Sequence, residues 1–203
     1  MKKYHVAEIS VVLALVFAIV CSLAGFASEC DDIRNSVIRL HILANSDSTE
    51  DQNVKLIVRD TLLKSGLSLF DGKMNVDNAE EVVNINKDII IKLVNETLKE
   101  NGFEYEADIY LTEEYFETRV YEDFTMPAGK YKALKIILGE GKGHNWWCVM
   151  FPPLCLPAAE DNVSIDTVFT EKGAEIVSDN GKYEVKFKII ELIEELRYRI
   201  MAK

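Results

Sequence analysis

The stretch Phe103–Leu111, FEYEADIYL, decides how the rest of the chain is read. Phe103, Tyr105, Ala107, Ile109 and Leu111 alternate with Glu104, Glu106, Asp108 and Tyr110, the period-two pattern of a half-buried strand. Downstream, Phe116–Phe124 reads as a second strand, and Met126-Pro127-Ala128-Gly129 as a turn. Tyr131–Leu138 (YKALKIIL) reads as a third strand, more apolar and therefore more central. Upstream the apolar spacing is helical. Successive strands after successive helices predict an α+β fold, a mostly antiparallel sheet packed by amphipathic helices, and not a doubly wound sheet.

Working outward, Val37–Ala44 (VIRLHILA) also alternates, with Ile38, Leu40, Ile42 and Ala44 on one side and Val37, Arg39, His41 and Leu43 on the other. It runs through Asn45-Ser46-Asp47-Ser48 straight into a helical pattern, where Ser48 with Asp51, or Thr49 with Gln52, has capping-box spacing. Val54, Val58 and Leu62 supply that helix with an apolar face. The Asn45–Asp47 segment is read as turn and cap, at a helix start whose N–H groups could also meet an anion. Gly66 and Asp71-Gly72 break the pattern. A second helix is predicted from about Asn78 to Asn101, with Asp77 and Glu80 as capping box, Gly102 as stop, and Val82, Ile85, Ile89 and Leu93 as its stripe. Toward the C-terminus, Asn162–Phe169 and Ala174–Val177 read as weak short strands and Asn180-Gly181 as a turn. A last amphipathic helix spans Glu184–Met201, with Phe187, Ile190, Ile193, Leu196 and Ile200 on its apolar face.

The N-terminus is of another kind. Lys2 and Lys3 precede an apolar run from Ile9 to Ala24, and small residues follow at Gly25 and Ala27. That order is a secretory signal peptide over residues 1–27, cleaved after Ala27, with an uncleaved anchor through residues 9–26 as the alternative. Neither Cys21 nor Cys30 follows a small residue, which disfavours a lipoprotein site. The bulk of the protein is expected outside the membrane of the cell that makes it, as a single domain over residues 28–203. The chain carries a formal charge of −11, and loss of residues 1–27 removes Lys2, Lys3 and Glu8, leaving 21 basic and 33 acidic residues. Without a basic face, nucleic acid is excluded as a partner.

The stretch least like ordinary core or loop is Gly139–Cys155, GEGKGHNWWCVMFPPLC. Gly139, Gly141 and Gly143 make no dinucleotide fingerprint, because His144 stands where its last glycine belongs. They make no phosphate loop either, since Ile136 stands where that motif begins. No cofactor and no small-molecule substrate is expected, and the glycines read as a turning loop between Tyr131–Leu138 and Trp146–Phe151. In an exported protein Cys148 and Cys155 are most simply a disulfide, a staple of about 2 kcal/mol for so short a loop, leaving Cys30 over. The sharper alternative makes Cys148 a nucleophile with His144 or His41 as base, in an exported hydrolase or wall-acting enzyme. On a strand, however, His144 and Cys148 stand roughly 13 Å apart. A zinc set of His41, His144, Cys148 and Cys155 lacks any ligand-pair spacing, so no metal is expected. On a strand Trp146 and Trp147 face opposite ways, so that one can be core while the other is presented.

Two stretches, Ile38–Ser48 (IRLHILANSDS) with Glu50-Asp51-Gln52, and Gly141–Cys155 (GKGHNWWCVMFPPLC), resemble the stage II sporulation protein R family, and Val54–Asp60 (VKLIVRD) fits the same pattern. The resemblance implies a non-enzymatic signalling protein of endospore formation. It would be exported across the forespore membrane into the intermembrane space. There a membrane-embedded aspartic protease in the facing membrane would be the partner that it activates to process the sigma-E precursor. Arg39, His41, Asn45, Asp47, His144, Asn145, Trp146 and Trp147, which lie in these stretches, are the candidate partner-binding residues.

Overall fold

A computed structural model describes residues 2–69, 76–121, 124–152, 154, 165–178 and 181–201. In chain order the elements are α1 (Lys2–Asn35), β1 (Ile38–Leu43), α2 (Thr49–Leu69), α3 (Val76–Glu100), β2 (Ala107–Phe116), β3 (Arg119–Val120), β4 (Thr125–Met126), β5 (Gly129–Leu138), β6 (Asn145–Phe151), α4 (Ile165–Val168), α5 (Glu171–Ser178) and α6 (Glu184–Met201). The class is α+β, with an apolar N-terminal helix and a mostly antiparallel sheet packed against helices. Its contacts gather into two compact units, residues 35–116 with 130–168, and residues 1–34 with 117–129 and 169–203.

The first unit holds a four-stranded sheet in the order β2-β5-β1-β6. β1 runs parallel to β5, with Leu40 opposite Leu134, and antiparallel to β6, with His41 opposite Trp147. The alternation expected of β1 is observed. Ile38, Leu40 and Ile42 join Leu134, Ile136, Leu138, Cys148, Met150, Ala107 and Ile109 on one face. Against that face lie Val54, Val58, Leu62 and Leu63 of α2 and Val83, Ile90, Val94 and Leu98 of α3. Each such aliphatic side chain withdrawn from water contributes about 1.5–3 kcal/mol.

The second unit is mainly helical. The last turns of α1 bury Phe26, Cys30 and Ile33, α5 buries Ala174, Ile176 and Val177, and α6 buries Phe187 and Ile190. The hairpin β3–β4 pairs Arg119 with Met126, and Arg34 Nη1 donates to Ala128 O at 2.7 Å.

Several expectations are corrected. The turning loop expected between Tyr131–Leu138 and Trp146–Phe151 joins strands that are not adjacent in the sheet, because β1 lies between β5 and β6. The expected strand Phe116–Phe124 is divided: β2 continues to Phe116, and only Arg119–Val120 pairs beyond it. Ala174–Val177 is helical, inside α5, and the end of Asn162–Phe169 is the short α4. Four residues, three of them apolar, are too few to separate the two periods. On α3 the buried face is Val83, Ile90, Val94 and Leu98, while Ile85 of the expected stripe is 71% exposed. The helix carries isoleucines around much of its girth, and packing selects the phase. Beyond Ile190, the α6 residues Ile193, Leu196 and Ile200 are exposed. α2 continues past Gly66 to Leu69.

Candidate functional site

The sheet order creates the site. A chain leaving β5 for β6 must pass over the end of β1, where Ala44–Ser48 exits toward α2, and Gly139–His144 makes that crossing. Gly139 and Gly141 take left-handed φ values of 54° and 61°, a region open to glycine at no steric cost. At Gly143 an added Cβ would lie 2.1 Å from the backbone oxygen of Ser46. The crossing is fastened by backbone bonds from Lys142 N to Asn45 O (3.1 Å) and from Gly143 N to Ala44 O (2.9 Å).

Side chains complete the clasp. Asp51, in the first turn of α2, accepts from Ser46 Oγ at 2.5 Å, Tyr105 OH at 2.6 Å and Asn45 Nδ2 at 2.9 Å. Its own N–H donates to Ser48 Oγ at 3.1 Å, half of the expected capping box. Burial opposes ionisation of Asp51, but hydrogen bonds from Ser46, Tyr105, Asn45 and Ser48 outweigh it, and its pKa lies below the usual carboxylate value. Tyr105 is pushed the other way, by burial first and then by its bond to Asp51. Asn45 Oδ1 accepts from Glu140 N at 2.9 Å. Lys55 Nζ reaches His144 O at 2.8 Å and Gln52 Oε1 at 2.5 Å, and Gln52 Nε2 donates to Ser46 O at 2.9 Å.

On the outside of the clasp, Asp47 Oδ1 accepts from His144 N at 2.6 Å and lies 2.5 Å from His144 Nδ1. The side-chain hydrogen bond from His144 holds Asp47 below the usual carboxylate range. Asp47, His144 and Asn145 are all exposed.

A second constellation lies on the sheet face turned away from α2 and α3. His41 stacks on Trp147 with ring centroids 3.6 Å apart, and Phe116 meets Trp147 edge-on at 4.7 Å. His41 Nδ1 is 2.6 Å from Glu114 Oε2, and Glu114 Oε1 accepts from Lys135 Nζ at 2.5 Å. Burial raises the Glu114 pKa, but its bonds to Lys135 and His41 prevail and lower it. Arg39, 0% exposed, lies over the rings of Phe116 (4.5 Å) and Tyr131 (5.0 Å), and its Nε donates to Cys148 O at 3.0 Å. Desolvated cation–π contacts of this kind contribute up to about 2 kcal/mol each. His41 Nε2 lies 3.1 Å from Asn145 Oδ1, so this buried chain ends beside His144 of the clasp.

Of the residues singled out by sequence, Asn45, Asp47, His144 and Asn145 come together at the crossing. Arg39 and His41 are buried and support the opposite sheet face. Trp146 is half-buried on the helix side, 4.4 Å under Arg59, and Trp147 is half-buried on His41, so the two do face opposite ways. Cys148 is buried in the helix-packed cluster, whereas His41 projects from the other face and His144 is tied to Asp47. The Cys–His pairing of the hydrolase alternative is therefore not assembled. Cys155 lies outside the described residues, and the proposed disulfide with it. Among the described residues no group of three His, Cys, Asp or Glu side chains is placed to hold a metal. Glu114, Tyr105, Lys55 and Lys135 were not foreseen. Lys55 lies in the Val54–Asp60 stretch but was not singled out within it, the other three carry no motif, and Glu114 lies 73 residues from His41.

Comparison with known proteins bears on the same stretches. The family model described as stage II sporulation protein R matches residues 34–161, a range that contains both the clasp and the buried constellation. A Bacillus subtilis (strain 168) protein named stage II sporulation protein R is 37% identical over 123 residues, 61% of this chain and 55% of that protein. The match thus spans about half the length of this curated relative. No solved structure matches the chain. The chain belongs to the stage II sporulation protein R family.

Proposed function

We propose that this protein is an exported signal of endospore formation that acts by contact. Its partner is a membrane-embedded aspartic protease in the facing membrane, which it switches on to process the sigma-E precursor. The contact surface is the outer side of the clasp, Asp47, His144 and Asn145 with neighbouring Lys142. One observation carries this reading. The two stretches that bear the family resemblance, about 100 residues apart in sequence, close on each other, and their polar side chains remain exposed at the junction. The clasp is fastened before any partner arrives, so little ordering cost is incurred on binding. The apolar helix α1 supports export.

The test is reconstitution in a non-sporulating bacterium that produces the protease and the precursor, with this chain directed across the membrane. Processing of the precursor is expected only when the full chain is present. Asp47→Ala with His144→Ala should reduce it by tenfold or more without unfolding the protein. Processing that proceeds equally without the chain, or is indifferent to the double substitution, contradicts the proposal.

A further inference from the structure

The expected cleavage site after Ala27 falls inside a helix. α1 is one continuous helix from Lys2 to Asn35, with Gly25 and Ala27 inside it. Its two parts have opposite surroundings. Leu13, Phe17 and Val20 are 63%, 70% and 56% exposed, whereas Phe26, Cys30 and Ile33 are 4%, 0% and 1% exposed. The spacing of the buried three, i, i+4 and i+7, is a helical face turned into a protein core.

That core belongs to the second unit. Phe26 stacks on Tyr183 at 5.5 Å and meets Phe187 edge-on at 5.3 Å. Thr170 Oγ1 donates to Glu29 Oε2 at 3.3 Å, and Lys186 Nζ donates to Ser22 Oγ at 3.3 Å. Cleavage after Ala27 would remove Phe26 from between two aromatic rings and place a charged N-terminus in the middle of a packed helix. A peptidase takes its substrate extended, so the same event requires this helix to unwind. Residues 9–25, at the helical rise, span about 26 Å, close to the thickness of a bilayer's hydrocarbon core. Lys2 and Lys3 hold the N-terminal end on the side where the chain is made.

We propose that α1 is retained as a membrane anchor whose outer end is a core element of the fold, so that the second unit is seated directly on the lipid headgroups. The partner of this surface is the bilayer. Tyr183 and Lys186, packed beside Ser22 and Phe26, stand at the level where α1 leaves the hydrocarbon, where aromatic and long cationic side chains are favoured. There is no linker between the span and the packed helix, so the protein works at the membrane that exports it and does not diffuse. This holds whether or not the clasp is the protease-contacting surface.

The full chain, tagged at its C-terminus and produced in a bacterium with its own signal peptidase, gives the test by intact mass and carbonate washing of membranes. The expected product stays in washed membranes with a mass that includes Phe26, and Ala27→Leu shifts that mass only by the difference between the two side chains. A product beginning at Ser28, restored to full length by Ala27→Leu, or a product released by carbonate, overturns the proposal. In detergent, Phe26→Ala should lower the unfolding temperature by more than about 5 °C, while Phe17→Ala shifts it by less than about 1 °C. Equal shifts from the two overturn the claim that the fold grips the anchor.

Discussion

The two faces of the central sheet are built from the same alternating strands by different means. On one face Leu40, Leu134, Ile136 and Met150 meet the apolar sides of α2 and α3, and any aliphatic side chain of similar volume would serve nearly as well. On the other face Arg39, His41, Glu114, Lys135 and Trp147 satisfy one another through named bonds and ring contacts, and each substitution leaves a partner stranded. The apolar face gives the unit its stability. The polar–aromatic face positions Asn145, and through it the exposed junction at the end of β1.

Substitutions can break or sharpen that contrast. The largest effect is expected on the apolar face, where Leu134→Ala, at a fully buried site, should lower unfolding free energy by about 2–5 kcal/mol in chemical denaturation. Asp51→Ala removes the acceptor for three donors in the clasp and should cost about 1–3 kcal/mol, most of it from stranded partners. Gly143→Ala drives a Cβ against the Ser46 backbone oxygen and should cost about 1–3 kcal/mol, with a shift in the amide signals of Asn45–Asp47.

A smaller effect is expected from pH. The folded-state pKa values of Asp51 and Glu114 are depressed, so their contribution is complete above the unfolded values of about 3.9 and 4.3. It should be lost as pH falls through the lower, folded values. Thermal unfolding from pH 6 to pH 2 should therefore show a steeper acid loss than that of Glu114→Gln, whose loss from the polar face is already made. The smallest effect on stability, a chemical-denaturation midpoint that hardly moves, is expected for Asp47→Ala, because Asp47 is exposed.

Legibility in the sequence follows the same division. The alternation of Ile38, Leu40 and Ile42, the Ser48–Asp51 cap and the strand character of Tyr131–Leu138 are local patterns, and all are present. The insertion of β1 between β5 and β6 is a choice among pairings about 100 residues apart, which no local period encodes. The same limit explains α3, where Val83 and Ile90 rather than Ile85 and Ile89 face the sheet. At the site, Asp47 and His144 were legible as unusual residues in unusual stretches, but their hydrogen bond was not. Tyr105 fell on a strand pattern, and nothing marked its hydroxyl as bound for Asp51. The continuation of α1 past Ala27 was hidden because a signal peptide and an anchor share their first 25 residues of chemistry.

The central claim is that the junction of the two stretches, and not the apolar surface of the helices, meets the protease. Site-specific photocrosslinking in the reconstituted system tests it, with a photoreactive phenylalanine replacing Lys142 beside the clasp and, separately, Ile85 on the exposed side of α3. Capture of the protease from position 142 and not from position 85 is the predicted result. Capture from position 85 with none from position 142 would contradict the account.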